Sequence, residues 1–200
     1  MSATRDKLIY AAVELMLKNG YHAVSVDGIC SRADVKKGTF YHFFVSKEAL
    51  TLQAMDYRHQ ESRKVCDSIF SSAFSPIERF QNLFDYIYQT QVDLYKKLGH
   101  VCGTLPVTLG SEMACHDDIG KKASEIICFY EKYYKSALID LMTSVDIYND
   151  PNIDIDDICS NVNCYIIGKI TIARIRNSLD FLQDFSEGIS SIVGFDLAKA

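Results

Sequence analysis

Apolar residues recur along this chain at three- and four-residue spacing, and no stretch alternates as a half-buried strand would. Leu8, Ala12, Leu15 and Met16 make one stripe, which predicts a first helix over 4–18 with Thr4 as its N-cap and Asn19-Gly20 closing it. Val26, Ile29 and Ala33 follow Ser25 at i, i+3 and i+7, the pattern of a short second helix capped by that serine. In 36–44, Phe40, Phe43 and Phe44 face inward at i, i+3 and i+4. Ser46-Lys-Glu-Ala reads as a fresh N-cap for a fourth helix running from Glu48 to about Ile69. Ser75-Pro76 opens a fifth, whose Ile77, Phe80, Phe84, Ile87, Leu94 and Leu98 lead to Gly99. From Asp117 the set Ile119, Ala123, Ile126, Ile127, Tyr130, Tyr133, Tyr134, Ala137, Leu138, Leu141 and Val145 predicts one long amphipathic helix. Asn149-Asp-Pro151 interrupts it. Asp154 starts another helix, with Ile158, Val162, Tyr165, Ile166, Ile170 and Ala173, and a last one spans 179–193 with Leu182, Phe185, Ile189 and Ile192. The pattern predicts an all-α fold.

The second and third helices lie within a few turns of chain. Asp34 stands between them where a left-handed residue is needed, and Val35 points into the core between them. Facing outward are Lys36, Lys37, Thr39, Tyr41 and His42, donors suited to phosphates and base edges. Gly38 sits in the first turn of the third helix although glycine costs about 1 kcal/mol there, which close approach of another surface would explain. Lys47 in the first turn of the fourth helix opposes the helix dipole unless an anion is near, and a DNA phosphate would be that anion.

The formal charge of −5 argues against a nucleic-acid binder until its distribution is considered. Residues 1–50 hold 7 Lys/Arg against 5 acids, giving +2, and the remaining 150 hold 14 against 21, giving −7. The basic end carries the motif, and an acidic remainder turns away from DNA.

These residues resemble the DNA-binding domain of the TetR family of bacterial transcriptional regulators. The matching pieces are Lys18-Asn-Gly-Tyr21, Ser25-Val-Asp27, Ile29, Ala33, 35–44 and Ser46-Lys-Glu-Ala-Leu50. The resemblance implies a three-helix helix-turn-helix domain over 1–47 and a helical ligand-binding and dimerisation domain over 48–200. It also implies a ligand-responsive regulator, most simply a repressor that binds a palindromic double-stranded DNA operator as a homodimer and is released by a small-molecule inducer. Ser25, Lys37, Tyr41, His42 and Lys47 would touch phosphates, with Lys36 and Thr39 where backbone and base-edge contacts are divided. The chain departs from the family pattern at Val24 for a threonine, Asp34 for a glycine and Lys36 for a serine, so base preference does not carry over. Dimerisation would use the last two helices, where Ile167 and Ile172 add apolar positions beside the main stripe.

The seven cysteines, Cys30, Cys66, Cys102, Cys115, Cys128, Cys159 and Cys164, form no C-x-x-C pair, which argues against a disulfide framework or zinc site. The stretch 100–116 and Lys169-Ile-Thr-Ile-Ala-Arg-Ile-Arg176 resemble an electrophile- and quinone-sensing subgroup of the same family, which opens a thiol-sensing alternative. Aligned on Leu109-Gly-Ser-Glu-Met113, however, the sensor cysteine falls at Thr104 rather than at Cys102. Cys115-His116 lacks nearby partners for a metal. Tyr86, Tyr88, Cys102, Phe129, Tyr133 and Tyr165 are candidates to line a ligand pocket, against ordinary core packing; His59 and His100 read as surface or capping residues. No Gly-x-Ser-x-Gly elbow, phosphate loop or His-Glu-x-x-His supports an enzyme, and no cofactor is expected. A helical interaction module without DNA binding is disfavoured by Lys37, Tyr41, His42 and Lys47. With no apolar run long enough for a membrane and no leader before Arg5, a cytoplasmic protein is expected.

Overall fold

The computed structural model describes residues 3–114, 117–144 and 154–194, and among these every regular element is helical. The helices are α1 (Ala3–Asn19), α2 (Val26–Ala33), α3 (Lys37–Phe43), α4 (Lys47–Ile69), α5 (Pro76–Leu98), α6 (Leu105–Glu112), α7 (Asp117–Phe129), α8 (Glu131–Ser144), α9 (Ile155–Arg176) and α10 (Phe185–Val193), with a 3-10 turn at Leu179–Leu182. They form two compact units, Met1–Arg63 with Cys102–Ile127, and Lys64–Val101 with Cys128–Ala200. These units do not follow a 1–47/48–200 division, because α6 packs on α1.

In the first unit, α1 buries Leu8, Ala12 and Met16, while α2 and α3 bury Ile29 and Phe40. Thr4 lies inside α1 rather than capping it, and Leu15 is only half-buried; Val13 and Leu17 fill the core instead. The α2–α3 turn is made by Asp34 at φ 54, ψ 52, and the amide of Val35 donates to the carbonyl of Cys30 at 3.0 Å. Val35 itself is half-buried, as is Phe43, since α3 ends there and Phe44 continues in extended conformation into the core.

The second unit is built on α5, α8, α9 and α10. Ser75 and Glu78 form the capping box of α5, each satisfying the other's backbone amide, at 3.3 Å and 2.7 Å. Its core joins Phe80, Phe84, Leu138, Val162, Ile166, Phe185 and Ile189, with the Phe84 and Phe185 rings stacked at 5.2 Å. Arg79 is buried with them, and its charge is met by Asp140 of α8 at 2.6 Å and by the carbonyl of Phe74 at 3.0 Å.

The predicted long helix after Asp117 is two helices. The Tyr130 carbonyl takes the amides of Tyr133 and Tyr134, restarting the ladder at α8. Periodicity reports which face is apolar, and a ladder can restart without changing face. The last helix is likewise shortened: the Ser178 hydroxyl accepts from Asp180 N at 3.2 Å, a local bond that opens the 3-10 turn, and α10 begins only at Phe185. Val145, Asn149-Asp-Pro151 and Cys115-His116 lie outside the described residues.

The left-handed conformation at Asp34 gives a direct test. Asp34→Val should lower stability by about 1–2 kcal/mol, the left-handed penalty for an L-residue, whereas Asp34→Gly should preserve it, read by urea unfolding of the two variants side by side.

Candidate nucleic-acid interface

The outward face of α3 is presented as the sequence pattern requires. Lys36, Lys37, Tyr41 and His42 are exposed and Thr39 half-exposed, while Phe40 on the opposite face is fully buried. Lys36 is the N-cap and, lacking a capping oxygen, leaves the first amides of α3 without a side-chain acceptor. Ser25 caps α2, its hydroxyl accepting from Gly28 N at 3.0 Å, and is exposed at that helix N-terminus. Five expected donors, Lys36, Lys37, Thr39, Tyr41 and His42, thus share one short helix and its cap.

Lys37 is not idle in the free protein. Its ammonium bridges both carboxylate oxygens of Asp27 on α2, at 2.9 Å and 3.0 Å. The hydrogen bond that Lys37 donates to Asp27, and then the charge of that carboxylate, hold the Lys37 pKa above its ordinary value. A second α2 contact, Arg32 to Glu14 of α1 at 2.5 Å, ties the helix pair to α1. The sequence reading contained neither carboxylate as a site residue, because pairing across a turn leaves no periodic signal.

Lys47 is placed differently from expectation. Its ammonium donates to the carbonyls of Tyr21 at 3.0 Å and Val24 at 2.9 Å, and lies over the Tyr21 ring at 3.8 Å. Burial pushes its pKa down, opposed by the charge of Glu112. The anion that the helix dipole seemed to call for is replaced by two backbone dipoles and an aromatic face, so Lys47 clamps the α1–α2 turn. Glu112 is the residue that sequence reasoning missed: its carboxylate accepts from the amides of Tyr21 at 2.8 Å and His22 at 3.2 Å.

Four of the candidate ligand residues gather at the core of the second unit. Tyr133 is in the core of the second unit, its hydroxyl donating to Asp67, with Tyr88, Phe129 and Tyr165 half-buried against that core. Tyr165 donates to the Asp184 carbonyl at 3.3 Å and occupies the space beside Gly188, where an added Cβ would fall 2.1 Å from its ring. Cys102 is 0% exposed and belongs to the other unit. A thiol with no access to solvent is a poor first target for an electrophile. Cys66 and Cys159 are also buried, which pushes their thiols up to about 12 and about 11; among the described residues the exposed thiols are Cys128 and Cys164. Among the described residues no group of metal-ligating side chains is assembled, and no helix is long and apolar enough to cross a membrane.

Lys47→Met should leave the Tyr21 and Val24 carbonyls without their charged donor. We expect a loss of about 1–3 kcal/mol in unfolding free energy; an unchanged denaturation midpoint would refute the clamp.

Comparison with known proteins places this geometry in context. Residues 8–54 match the family model described as bacterial regulatory proteins, tetR family. The HTH-type transcriptional regulator UidR of Escherichia coli is 43% identical over 58 residues, which is 29% of this chain and 29% of that protein. The HTH-type transcriptional repressor DhaR of a Mycobacterium species is 31% identical over 87 residues, 43% of this chain and 44% of that protein. The chain therefore spans less than half the length of these relatives. In fold, the regulatory protein TetR from Rhodobacter sphaeroides superposes with a TM-score of 0.82 at 22% identity, over 96% of this chain and 99% of that one.

Proposed function

We propose that this chain, which belongs to the TetR family of bacterial regulatory proteins, is a cytoplasmic repressor that binds a palindromic operator as a homodimer and is released by a small-molecule inducer. The observation that carries the DNA reading is the outward row of α3 around Gly38. A Cβ built at Gly38 meets no atom of the chain within 4 Å, and its φ is not left-handed, so nothing inside the protein calls for glycine. A duplex approaching the helix would use the room. Lys36, Lys37, Tyr41 and His42 flank it with donors, and Ser25 offers the α2 N-terminus to a phosphate. Repression, rather than activation, is supported by the likeness to DhaR, itself named a repressor.

The homodimer rests on α9. Its face carries Cys164, Gly168, Ile172 and Ile175 at three- and four-residue spacing, and Ile172 and Ile175 are 45% and 77% exposed. Two small residues let a second helix approach, and two isoleucines gain from being covered. Pairing α9 and α10 with their copies would set the two recognition helices about 34–36 Å apart or somewhat more, the spacing of successive major grooves. The inducer would be an apolar, aromatic-stacking molecule received by Tyr88, Phe129, Tyr133 and Tyr165, with Cys102 taking no part.

Gel-shift titration against the duplex flanking its own gene should give binding that falls steeply with salt, by a slope of about 0.9 per phosphate neutralised; equal affinity for cognate and random duplex would sink the reading. Tyr41→Ala should weaken binding while sedimentation still reports a dimer, and Ile175→Glu should yield monomers. Asp27→Asn frees Lys37 and removes a charge that faces the phosphates. It should tighten binding by up to about fivefold, the worth of an exposed ion pair, and weaker binding would mean that Asp27 orients Lys37 instead.

A further inference from the structure

We infer that Glu112, at the C-terminal end of α6, is a positioning residue for DNA binding: it holds the α1–α2 turn from which the reading head is built. The inference rests on the DNA-binding reading above. Gly20 follows the end of α1 at φ +79, and the next two amides are those of Tyr21 and His22. Both donate to one oxygen of the Glu112 carboxylate, at 2.8 Å and 3.2 Å, across some ninety residues of sequence. Lys47 takes the same turn by its carbonyls, Tyr21 and Val24. The donors of the turn are thus held by an anion from α6 and its acceptors by a cation from α4.

Gly20 fits this arrangement from below. A Cβ there would lie 1.8 Å from Glu112 Oε1, so the carboxylate fills the room that a side chain would take. Immediately after the turn, Val24 is buried and Ser25 begins α2. A turn that moves therefore moves the exposed N-terminus of α2 and, through the Asp27–Lys37 bridge, the start of α3. Because α1 and α6 pack together within one compact unit, Glu112 acts on the head without touching DNA.

Two readouts test this. In Glu112→Ala, amide hydrogen exchange at Tyr21 and His22 should accelerate at least fivefold while that of Phe40 stays unchanged. Affinity for the operator duplex should fall roughly fivefold, as loss of bonds to a charged acceptor in a partly wet site implies. Glu112→Gln keeps an acceptor oxygen and should recover most of the affinity. Exchange at Tyr21 and His22 unchanged in Glu112→Ala overturns the clamp; accelerated exchange with wild-type affinity overturns its role in DNA binding. Should Glu112→Ala not fold, Glu112→Leu, which also removes the acceptor, decides instead, since faster exchange at those two amides supports the clamp and unchanged exchange refutes it. A wild-type protein that binds no duplex would strike the DNA reading itself, and the exchange result would still judge the clamp.

Discussion

A helix that stops must find partners for the amides and carbonyls its ladder no longer uses, and in the turn after α1 that requirement is met by charged side chains from distant parts of the chain. Lys47 supplies the donor and Glu112 the acceptor. The turn fixes where α2 begins. Helix α2, through the left-handed Asp34, fixes the start of α3, and α3 carries the outward donors. Short helices such as α2 and α3 are unstable in isolation, since nucleation costs more than a few hydrogen bonds return. Their geometry therefore comes from what grips their ends and from Ile29, Phe40 and Phe44 beneath them.

The electrostatics follow the same economy of parts. The chain is acidic overall, and Lys36 and Lys37 stand side by side at the start of one short helix. Lys47 contributes to the same surface indirectly, since its charge is consumed by carbonyls and by Tyr21. Asp27 matters more than its exposure suggests, because it occupies the Lys37 ammonium. The head's positive charge is thus smaller in effect than a count of lysines implies, since the Lys37 and Lys47 ammonium groups already have partners.

Much of this was legible in the sequence. The caps at Ser25, Ser75 and Asp154, the left-handed Asp34 and the apolar stripes of α1, α5 and α9 are local features, and each lies where its residue chemistry places it. What escaped is non-local. A lysine in the first turn of a helix looks like a phosphate ligand until the Tyr21 and Val24 carbonyls are folded beneath it. Glu112 looks like a surface acid at the end of a short helix until α6 is laid on α1. The division at Tyr130 escaped for a different reason, since the apolar period runs through it unbroken while the backbone ladder does not. Aromatic residues were the least informative of all: Tyr133 and Tyr165 have the same spacing whether they line a ligand or fill a core, and their bonds to Asp67 and the Asp184 carbonyl leave no mark in the apolar period.

The placement of α6 changes how the two halves of such a chain are to be thought of. A boundary at residue 47 follows the motif, but contacts group α6 and most of α7 with the first three helices. Any shift of α6 is then felt at the Tyr21 and His22 amides without an intervening step, because hydrogen bonds weaken steeply with distance and angle. Two bonds of 2.8 Å and 3.2 Å at the far end of α6 make a short lever.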